Sequence, residues 1–347
     1  MDLREFEAKL ERIRRWLAAE RYDAVEITRY SWLAWLLEGA EARVLLSSER
    51  GNCSVIVTAE KIFMVANNIE APRLKEEEIG ELPLEWRIYN WWERPPSVLP
   101  QNARVASEMP ASLRFSLLEP EVARARKLGR EAAEGLETAA RSLCPGLSER
   151  EIAGRIAAQA MGRGLTPAGL FVAADERGKQ FRHPIPTAKI AYRYAILSLV
   201  ARRHGLHASV TRTVSFGPAC GEMLRRHRAA SRVHAAMLVA SLPGTPLGEI
   251  FAEAQRVYRD SGFAEEWTFH HQGGPAGYES REARAAPGSA ERLQENQMVA
   301  WNPTIRGAKS EETALAAGRR VELLTRTGCW PELEGDMPLA DVLMIES

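Results

Sequence analysis

The sequence predicts a two-domain protein of the α+β class. Its 347 residues, 45% of them hydrophobic, can form one large core or two ordinary ones. Apolar residues at helical spacing alternate with short runs of β-type residues, and a segment rich in proline and polar residues lies at 94–110. We therefore expect an N-terminal α/β domain over residues 1–115 and a C-terminal domain with a mainly antiparallel sheet over 119–347.

The first domain is predicted to begin with a helix and to continue with mixed elements. Phe6, Leu10, Ile13 and Leu17 recur at helical spacing within residues 3–20. The elements expected after this helix are a strand at 22–27, a helix at 30–38, strands at 43–46, 53–58 and 62–65, a helix at 69–78 and a strand at 86–89.

A long helix over 119–142 is predicted to link the two domains. Ser148 and Glu151 form an S-x-x-E capping box, which is typical of a helix start. The remaining predicted elements are helices at 149–163, 222–239 and 247–261 and strands at 169–174, 194–200, 206–214, 268–271, 297–302 and 320–325. A turn at His204-Gly205 joins the second and third of these strands into a hairpin.

Composition excludes several classes of protein. Lysine plus arginine equals aspartate plus glutamate at 46 each, so no net field favours a nucleic acid or an anionic membrane. The four cysteines are far apart in the sequence, which argues against a structural zinc site or a disulfide framework and indicates a reduced, cytoplasmic protein. The charged N-terminus and the lack of a long apolar segment predict neither a signal peptide nor a membrane anchor. The expected partner is a small molecule or a short peptide.

The stretch 194–213 contains two serines of particular interest, Ser198 and Ser209. It resembles the paired strands that carry the first two metal ligands in the Xaa-Pro peptidase, methionine aminopeptidase and creatinase superfamily, with the pattern D-x-G followed by S-D-x-T-R-T. Both aspartate positions are serine in this chain. A neutral hydroxyl is a poor ligand for a divalent ion and supplies no balancing charge.

Histidines stand where this superfamily has functional ones. His183, in the segment FRHPIPT, resembles the histidine that faces the substrate. His271 with Gly274 resembles the H-x-x-G motif whose histidine binds metal, and His270 is a less favoured alternative. If the two adjacent histidines lie on a strand, their side chains alternate, and only one of them can enter a site.

The last two ligand positions are Asn302, in place of the glutamate of an E-P dipeptide, and Glu311, within a segment similar to E-D-T. The five positions equivalent to metal ligands are thus Ser198, Ser209, His271, Asn302 and Glu311. Three of them are neutral replacements, so we expect no dinuclear metal site and no cofactor. The resemblance implies a pita-bread C-terminal domain, a creatinase-like N-terminal domain, and a homodimer.

Creatinase works without metal, and the resemblance to it implies a metal-independent hydrolase or lyase acting on a small amino-acid-derived compound. His183 is the expected acid/base group, Glu311 the expected anchor for a cationic substrate, and His271 a further catalytic candidate. One alternative is an Xaa-Pro aminopeptidase or dipeptidase whose remodelled metal site includes His271 and Glu311, with Glu312 as a further candidate ligand. The other is an inactive pseudoenzyme that only binds peptides.

Four residues are candidates for substrate binding: Ser209, Asn302, Arg281 and Tyr278. Arg281 can bind a carboxylate through two parallel hydrogen bonds, although a surface ion pair accounts for it equally well. Arg212, in the T-R-T sequence, is expected to form a structural ion pair with Glu311 or another acid.

Overall fold

The computed structural model describes residues 3–346. The chain divides into two compact units, Met1–Arg114 and Phe115–Ser347. Within the described residues, no helix combines the length and the apolar character needed to cross a membrane.

The first unit is a five-stranded sheet with three helices. Its helices are α1 (Leu3–Glu20), α2 (Tyr30–Leu36) and α3 (Glu70–Arg73), and its strands are β1 (Ala24–Arg29), β2 (Arg50–Thr58), β3 (Ile62–Asn67), β4 (Glu85–Tyr89) and β5 (Val105–Ala106). The strand order is β4-β3-β2-β1-β5, with parallel pairing at both edges and antiparallel pairing between. Helix α1 buries the predicted apolar stripe of Phe6, Leu10, Ile13 and Leu17.

Two predictions in this unit are wrong in detail. The expected strand at 43–46 is an irregular turn, because the buried Arg43 guanidinium donates to the Ser48 carbonyl oxygen at 3.0 Å and closes the chain into a loop. The helix expected at 69–78 is α-helical only over α3 and continues as a π-helical turn at Leu74–Ile79.

The second unit contains two four-stranded sheets and several long helices. Its helices are α4 (Glu119–Arg141), α5 (Glu149–Gly162), α6 (Arg177–Gln180), α7 (Gly221–Ala240) and α8 (Leu247–Asp260). Its strands are β6 (Thr166–Ala174), β7 (Tyr194–Arg203), β8 (Leu206–Phe216), β9 (Gly273–Ala276), β10 (Gln297–Trp301), β11 (Thr304–Ile305), β12 (Ala308–Lys309), β13 (Glu312–Ala317), β14 (Arg320–Leu323) and β15 (Val342–Ile345). The capping box that begins α5 is present, with the Glu151 N–H donating to Ser148 Oγ at 3.2 Å.

The sheets of this unit are ordered β15-β8-β7-β6 and β14-β13-β10-β9, and the pair β11–β12 stands alone. The β7–β8 hairpin turns at His204 and Gly205, whose φ angles of 50° and 77° fit the predicted turn. Strands β8 and β13 meet through Thr313, whose hydroxyl donates to the Ser209 carbonyl oxygen at 2.9 Å and accepts the Ser209 N–H at 2.7 Å. This contact joins the two sheets beside the residues predicted to be functional.

The α+β class with mainly antiparallel sheets is confirmed, but the strand predicted at 268–271 is wrong. Residues Glu266–Phe269 form a 3₁₀ turn, and the strand begins at Gly273. Gly273 has a φ of 104°, and a Cβ there would lie 2.2 Å from the Ala300 carbonyl oxygen. Pairing with β10 therefore starts at a position that requires glycine. Strands β13 and β15 were not predicted.

Two helical glycines of the second unit provide a matched test of packing. A Cβ at Gly129, in α4, would lie 2.6 Å from the backbone carbonyl oxygen of Leu324, whereas a Cβ at Gly154, in α5, would meet no atom within 4 Å. Alanine in place of glycine in a helix contributes about 1 kcal/mol where nothing clashes. We expect Gly154→Ala to raise Tm by about 2–4 °C and Gly129→Ala to lower it. Thermal unfolding followed by circular dichroism measures both, and equal shifts in the two variants would contradict this packing.

Candidate functional site

The β7–β8 hairpin presents both predicted serines on one face. Ser198 pairs with Thr211, and Val200 pairs with Ser209. Directly paired residues of an antiparallel ladder share a face, as do residues two apart along one strand. The side chains of Ser198, Ser209 and Thr211 therefore point the same way, and all three are buried.

The Glu311 carboxylate lies against this face and is bound by two cations. Lys309 Nζ lies 2.7 Å from Glu311 Oε2, and the Arg281 guanidinium donates to Oε1 at 3.1 Å. The side chains of Lys309, Arg281 and Glu311 are only 8%, 11% and 4% exposed. A buried charge is costly unless it is paired, so these contacts stabilise the ionised carboxylate. Glu311 is consequently occupied by the chain's own cations, which corrects its expected role as the anchor of a cationic substrate.

Each cation also contacts one of the two serines. Lys309 Nζ donates to Ser198 Oγ at 3.3 Å, and the Arg281 guanidinium donates to Ser209 Oγ at 3.1 Å. Sequence analysis proposed Arg281 and Ser209 as substrate-binding residues, and the structure places them in contact with each other.

Thr211 closes a ring of hydrogen bonds around Glu311. Its hydroxyl donates to Glu311 Oε2 at 2.7 Å and lies 2.6 Å from Ser198 Oγ. Because a hydroxyl has a single proton, Ser198 must donate to Thr211. Lys309 donates to Ser198 in turn, so all the protons of the ring are directed toward the carboxylate.

The imidazoles of His183, His270 and His271 form a cluster in which their candidate ligand nitrogens lie within 4.8 Å of one another. His183 Nε2 and His270 Nε2 are 3.1 Å apart, so one of them carries the shared proton. The ring centroids of His270 and His271 are 4.6 Å apart. The two residues precede β9 instead of lying on a strand, so both rings enter the cluster, contrary to the expectation based on alternation.

Asn302 lies against His270, the histidine that the sequence comparison favoured less. Its Nδ2 atom is 3.4 Å from His270 Nε2, and the other ring nitrogen of His270 is 3.3 Å from Thr304 Oγ1. His271 Nδ1 is buried and lacks a hydrogen-bond partner among residues 3–346. The ring of His270 is therefore fixed by polar contacts at both nitrogens.

His183 lies in the loop between α6 and β7, and neighbouring contacts hold this loop in place. The adjacent Arg182 forms an ion pair of 2.5 Å with Glu266, in the turn that precedes His270. The Phe171 ring lies 5.5 Å from the His183 ring between centroids. His183 is the exposed member of the cluster, and this position gives it access to a ligand.

Burial and the neighbouring cations keep the imidazoles neutral. Burial, followed by Lys309, lowers the pKa of His183 below its ordinary value and the pKa of His270 to about 2. Burial, followed by Arg281 and Arg284, lowers the pKa of His271 to about 4. Near neutral pH the cluster therefore consists of uncharged bases beside fixed positive charges.

For Glu311, burial and the neighbouring cations have opposite effects. Burial alone would raise the pKa of this carboxyl, but Lys309 and Arg281 lower it to about 2. Glu311 is thus an anion throughout the physiological range, and its charge is already matched by the cations around it.

Comparison with known proteins identifies the family of the second unit. The family model described as metallopeptidase family M24 matches residues 123–324, which is more than half of the chain. The chain belongs to metallopeptidase family M24. A comparison with curated proteins gives no match.

Solved structures confirm the pita-bread fold of the M24 family. A prolidase from Pyrococcus horikoshii OT3 has a TM-score of 0.76 at 18% identity, covering 92% of this chain and 98% of its own. An Xaa-Pro dipeptidase from Bacillus anthracis has a TM-score of 0.78 at 14% identity, covering 98% and 100%. The N-terminal domain of FACT complex subunit SPT16 from Cicer arietinum has a TM-score of 0.71 at 11% identity, covering 94% and 97%. At these identities the likeness concerns the fold alone.

The pair of divalent ions that the M24 resemblance implies does not fit this set of residues. Glu311 is the one carboxylate among the five ligand-equivalent positions, and both of its oxygens are bound by Lys309 and Arg281. Two divalent ions require several anionic oxygens. The three imidazoles offer enough nitrogens for one ion. However, the positive charges of Lys309, Arg281 and Arg284 oppose a further cation at that place.

Glu312 lies on the other side of β13 from Glu311 and is not available to a remodelled metal site. The buried Arg212 guanidinium contacts Glu312 at 2.7 Å and Glu137 at 2.9 Å. The Thr325 hydroxyl also donates to Glu312. Arg212 thus has the structural ion-pairing role expected of it, with Glu137 and Glu312 as the acids.

Tyr278 is placed in the core. Its side chain is fully buried, and its hydroxyl donates to Glu121 of α4 at 2.7 Å. This contact is structural and does not support the predicted role in substrate binding.

Lys309 contacts Glu311 and Ser198 in this site, and sequence reasoning missed it. It lies two residues before Glu311 in the K-S-E-E-T segment, and nothing in the family pattern directs attention to it. The available signal was its charge, because a lysine two residues before a buried glutamate is a candidate ion-pair partner for it. Thr211 and Arg284 were also overlooked.

The low pKa of Glu311 makes its contribution to stability depend on pH. Its pKa is about 2 in the folded chain and near 4.5 when unfolded, so the stabilisation is complete above pH ~5 and is lost as the pH falls toward 2. We expect Glu311→Gln to cost about 3–5 kcal/mol at pH 7 and progressively less at lower pH. Urea unfolding from pH 7 to pH 3 measures this difference.

The matched control is Glu222→Gln, which removes an exposed carboxylate paired with Arg225 and Arg226. Solvent screens such a pair, so this variant should unfold close to the parent at every pH. A destabilisation by Glu311→Gln that stays constant across the pH range would contradict the assignment of an ionised, cation-bound carboxylate.

Proposed function

We propose that this member of family M24 is a metal-independent hydrolase or lyase that acts on a small, amino-acid-derived substrate bearing an anionic group. The observation that carries the proposal is the enclosure of Glu311 by Lys309 and Arg281. These side chains provide fixed positive charge at the centre of the site without a divalent ion. Preorganised charge of this kind stabilises negative charge that develops on a substrate during attack.

His183 supplies the acid/base function in this proposal. It is accessible and neutral near pH 7, and its Nε2 is hydrogen-bonded to His270. His270 in turn contacts Thr304, so a chain of hydrogen bonds runs from Thr304 through His270 to His183. This chain orients the His183 imidazole, as the third residue of a catalytic triad orients the general base. His183 takes a proton from the attacking water, or from the substrate carbon in a lyase reaction, and returns it to the leaving nitrogen.

The charge of the site supports an anionic substrate. One carboxylate, Glu311, faces Lys309 and Arg281, and Arg284 adds its field at His183 and His271. The surplus charge is positive, and a substrate carboxylate would balance it. A guanidinium-like cation, by contrast, would meet positive charge and an acid that is already paired.

A second candidate function is binding without turnover. It is favoured by the closed hydrogen-bond ring around Glu311. In that case the anionic group would be part of a ligand that the site retains unchanged.

The deciding experiment is a turnover screen of the purified protein, run with EDTA and, separately, with Mn²⁺ or Co²⁺. The panel contains N-acyl, N-carbamoyl and guanidino derivatives of amino acids together with Xaa-Pro dipeptides. We expect cleavage of a carboxylate-bearing compound at equal rates with and without chelator. Activity that appears only with added metal would overturn the proposal, and binding of panel compounds without cleavage of any would favour the second candidate.

The pKa of His183 gives the proposed activity a defined pH dependence. The base must be neutral to accept a proton, and its pKa is lowered by burial and by Lys309. We therefore expect kcat/KM to remain flat as the pH falls through 6.5, the ordinary imidazole value, and to decline only at more acidic pH. His183→Ala should reduce kcat by about 10²–10⁴-fold.

The control for this substitution is His204→Asn, which changes a histidine in the β7–β8 turn and keeps a residue that tolerates a positive φ. Its kcat should match that of the parent. Retention of full activity by His183→Ala would remove this histidine from the mechanism.

A further inference from the structure

The two cations around Glu311 follow a regular arrangement. Each carboxylate oxygen is bound by a different cation, Lys309 on Oε2 and Arg281 on Oε1. Each cation also binds one hydroxyl at a position where the family pattern has an aspartate, Ser198 for Lys309 and Ser209 for Arg281. A dinuclear metal centre has the same arrangement. One carboxylate bridges two cations, and each cation has a further ligand of its own.

We propose that Lys309 Nζ and the Arg281 guanidinium occupy, as permanent parts of the chain, the two cation positions that metal ions hold in the metallopeptidases of this family. The inference concerns charge and structure, and it holds whether or not the site turns over a substrate.

The charge differences between this site and the family pattern are consistent with the replacement of metal ions by side chains. Three acidic ligand positions have become Ser198, Ser209 and Asn302, and these changes remove three negative charges. Replacing two divalent ions by one ammonium and one guanidinium group removes two positive charges. The two losses differ by a single charge, so the site gains one net positive charge, and Glu311 keeps a cation on each oxygen.

The backbone holds both cations in position. Lys309 ends β12 and pairs with Thr304 of β11, so its side chain starts from an ordered ladder. The Arg281 guanidinium also donates to the carbonyl oxygen of Ser280 at 2.6 Å, a contact that fixes its direction. Neither cation needs to be recruited from solvent, so a chelator should have no effect on this part of the structure.

The first test measures coupling between Lys309 and Glu311. We expect Lys309→Met and Glu311→Gln each to lower Tm by about 6–12 °C, because each leaves a buried charge with an incomplete set of partners. The double variant should lose no more than the larger single loss. Additive losses would overturn the proposal.

The matched control is the exposed pair formed by Lys179 and Glu176, whose atoms are 2.9 Å apart and whose side chains are 46% and 52% exposed. The same substitutions there should give small and additive shifts in Tm, because solvent screens the pair.

The second test asks whether the two cations exclude metal. A variant with Ser198→Asp, Ser209→Asp and Asn302→Glu restores the acidic positions, and Mn²⁺ content per chain is measured by elemental analysis after dialysis. With Lys309 and Arg281 retained, Mn²⁺ should remain near the parent level. Adding Lys309→Ala and Arg281→Ala should raise the bound Mn²⁺ at least about tenfold, since this step removes two resident positive charges. A five-site variant that binds no more Mn²⁺ than the three-site variant would overturn the proposal.

Both tests are independent of any substrate. A turnover screen that finds no activity would therefore contradict the proposed function and leave both tests valid. Conversely, a negative result in the Tm or the Mn²⁺ experiment would contradict this inference whichever compounds had been screened. A purely structural role for Lys309 and Arg281 could change Tm but would not make Mn²⁺ uptake depend on them.

Discussion

The ion cluster formed by Glu311, Lys309 and Arg281 is the interaction on which the rest of the site depends. Glu311 is only 4% exposed, so without partners its charge would be strongly destabilising. The two cations keep it ionised, the Thr211 hydroxyl donates to its carboxylate, and Ser198 donates to Thr211 in turn. The replacement of divalent ions by side chains that we propose would also change the chemistry, because an ammonium or guanidinium group can stabilise an oxyanion but cannot hold a hydroxide as a nucleophile.

The same cations set the charge of the histidine cluster. Their field adds to the effect of burial and keeps His183, His270 and His271 neutral. A neutral imidazole can accept a proton, whereas an imidazolium cannot. The geometry is thus internally consistent: Lys309 and Arg281 neutralise the acid on one side and keep the bases uncharged on the other. This division separates permanent charge from proton transfer, two tasks that a metal-bound water combines in a metallohydrolase.

Sequence reasoning could predict what local patterns determine and missed what depends on three-dimensional proximity. The β7–β8 hairpin could be predicted from its two strand-like segments and the His204-Gly205 turn between them. The start of α5 could be predicted from its capping box. The strand expected at 268–271 failed because the backbone requirement of Gly273 displaces the pairing. Lys309 was missed because the family pattern assigns no role to the position two residues before Glu311, and its contact with Ser198, more than a hundred residues away, is visible only in the structure.

The persistence of the fold alongside a different site has a physical basis. The ligand-equivalent positions are held by backbone contacts that do not involve a metal: Thr313 joins β8 to β13, the Thr211 N–H donates to the Glu311 carbonyl oxygen, and the Asn302 N–H donates to that of Gln272. Side chains at these positions can therefore change without moving the strands. Each change of a carboxylate at these positions nevertheless alters the charge balance of a buried region. In the proposed site, the interior cations Lys309 and Arg281 and the neutral Ser198, Ser209 and Asn302 therefore form one coupled feature.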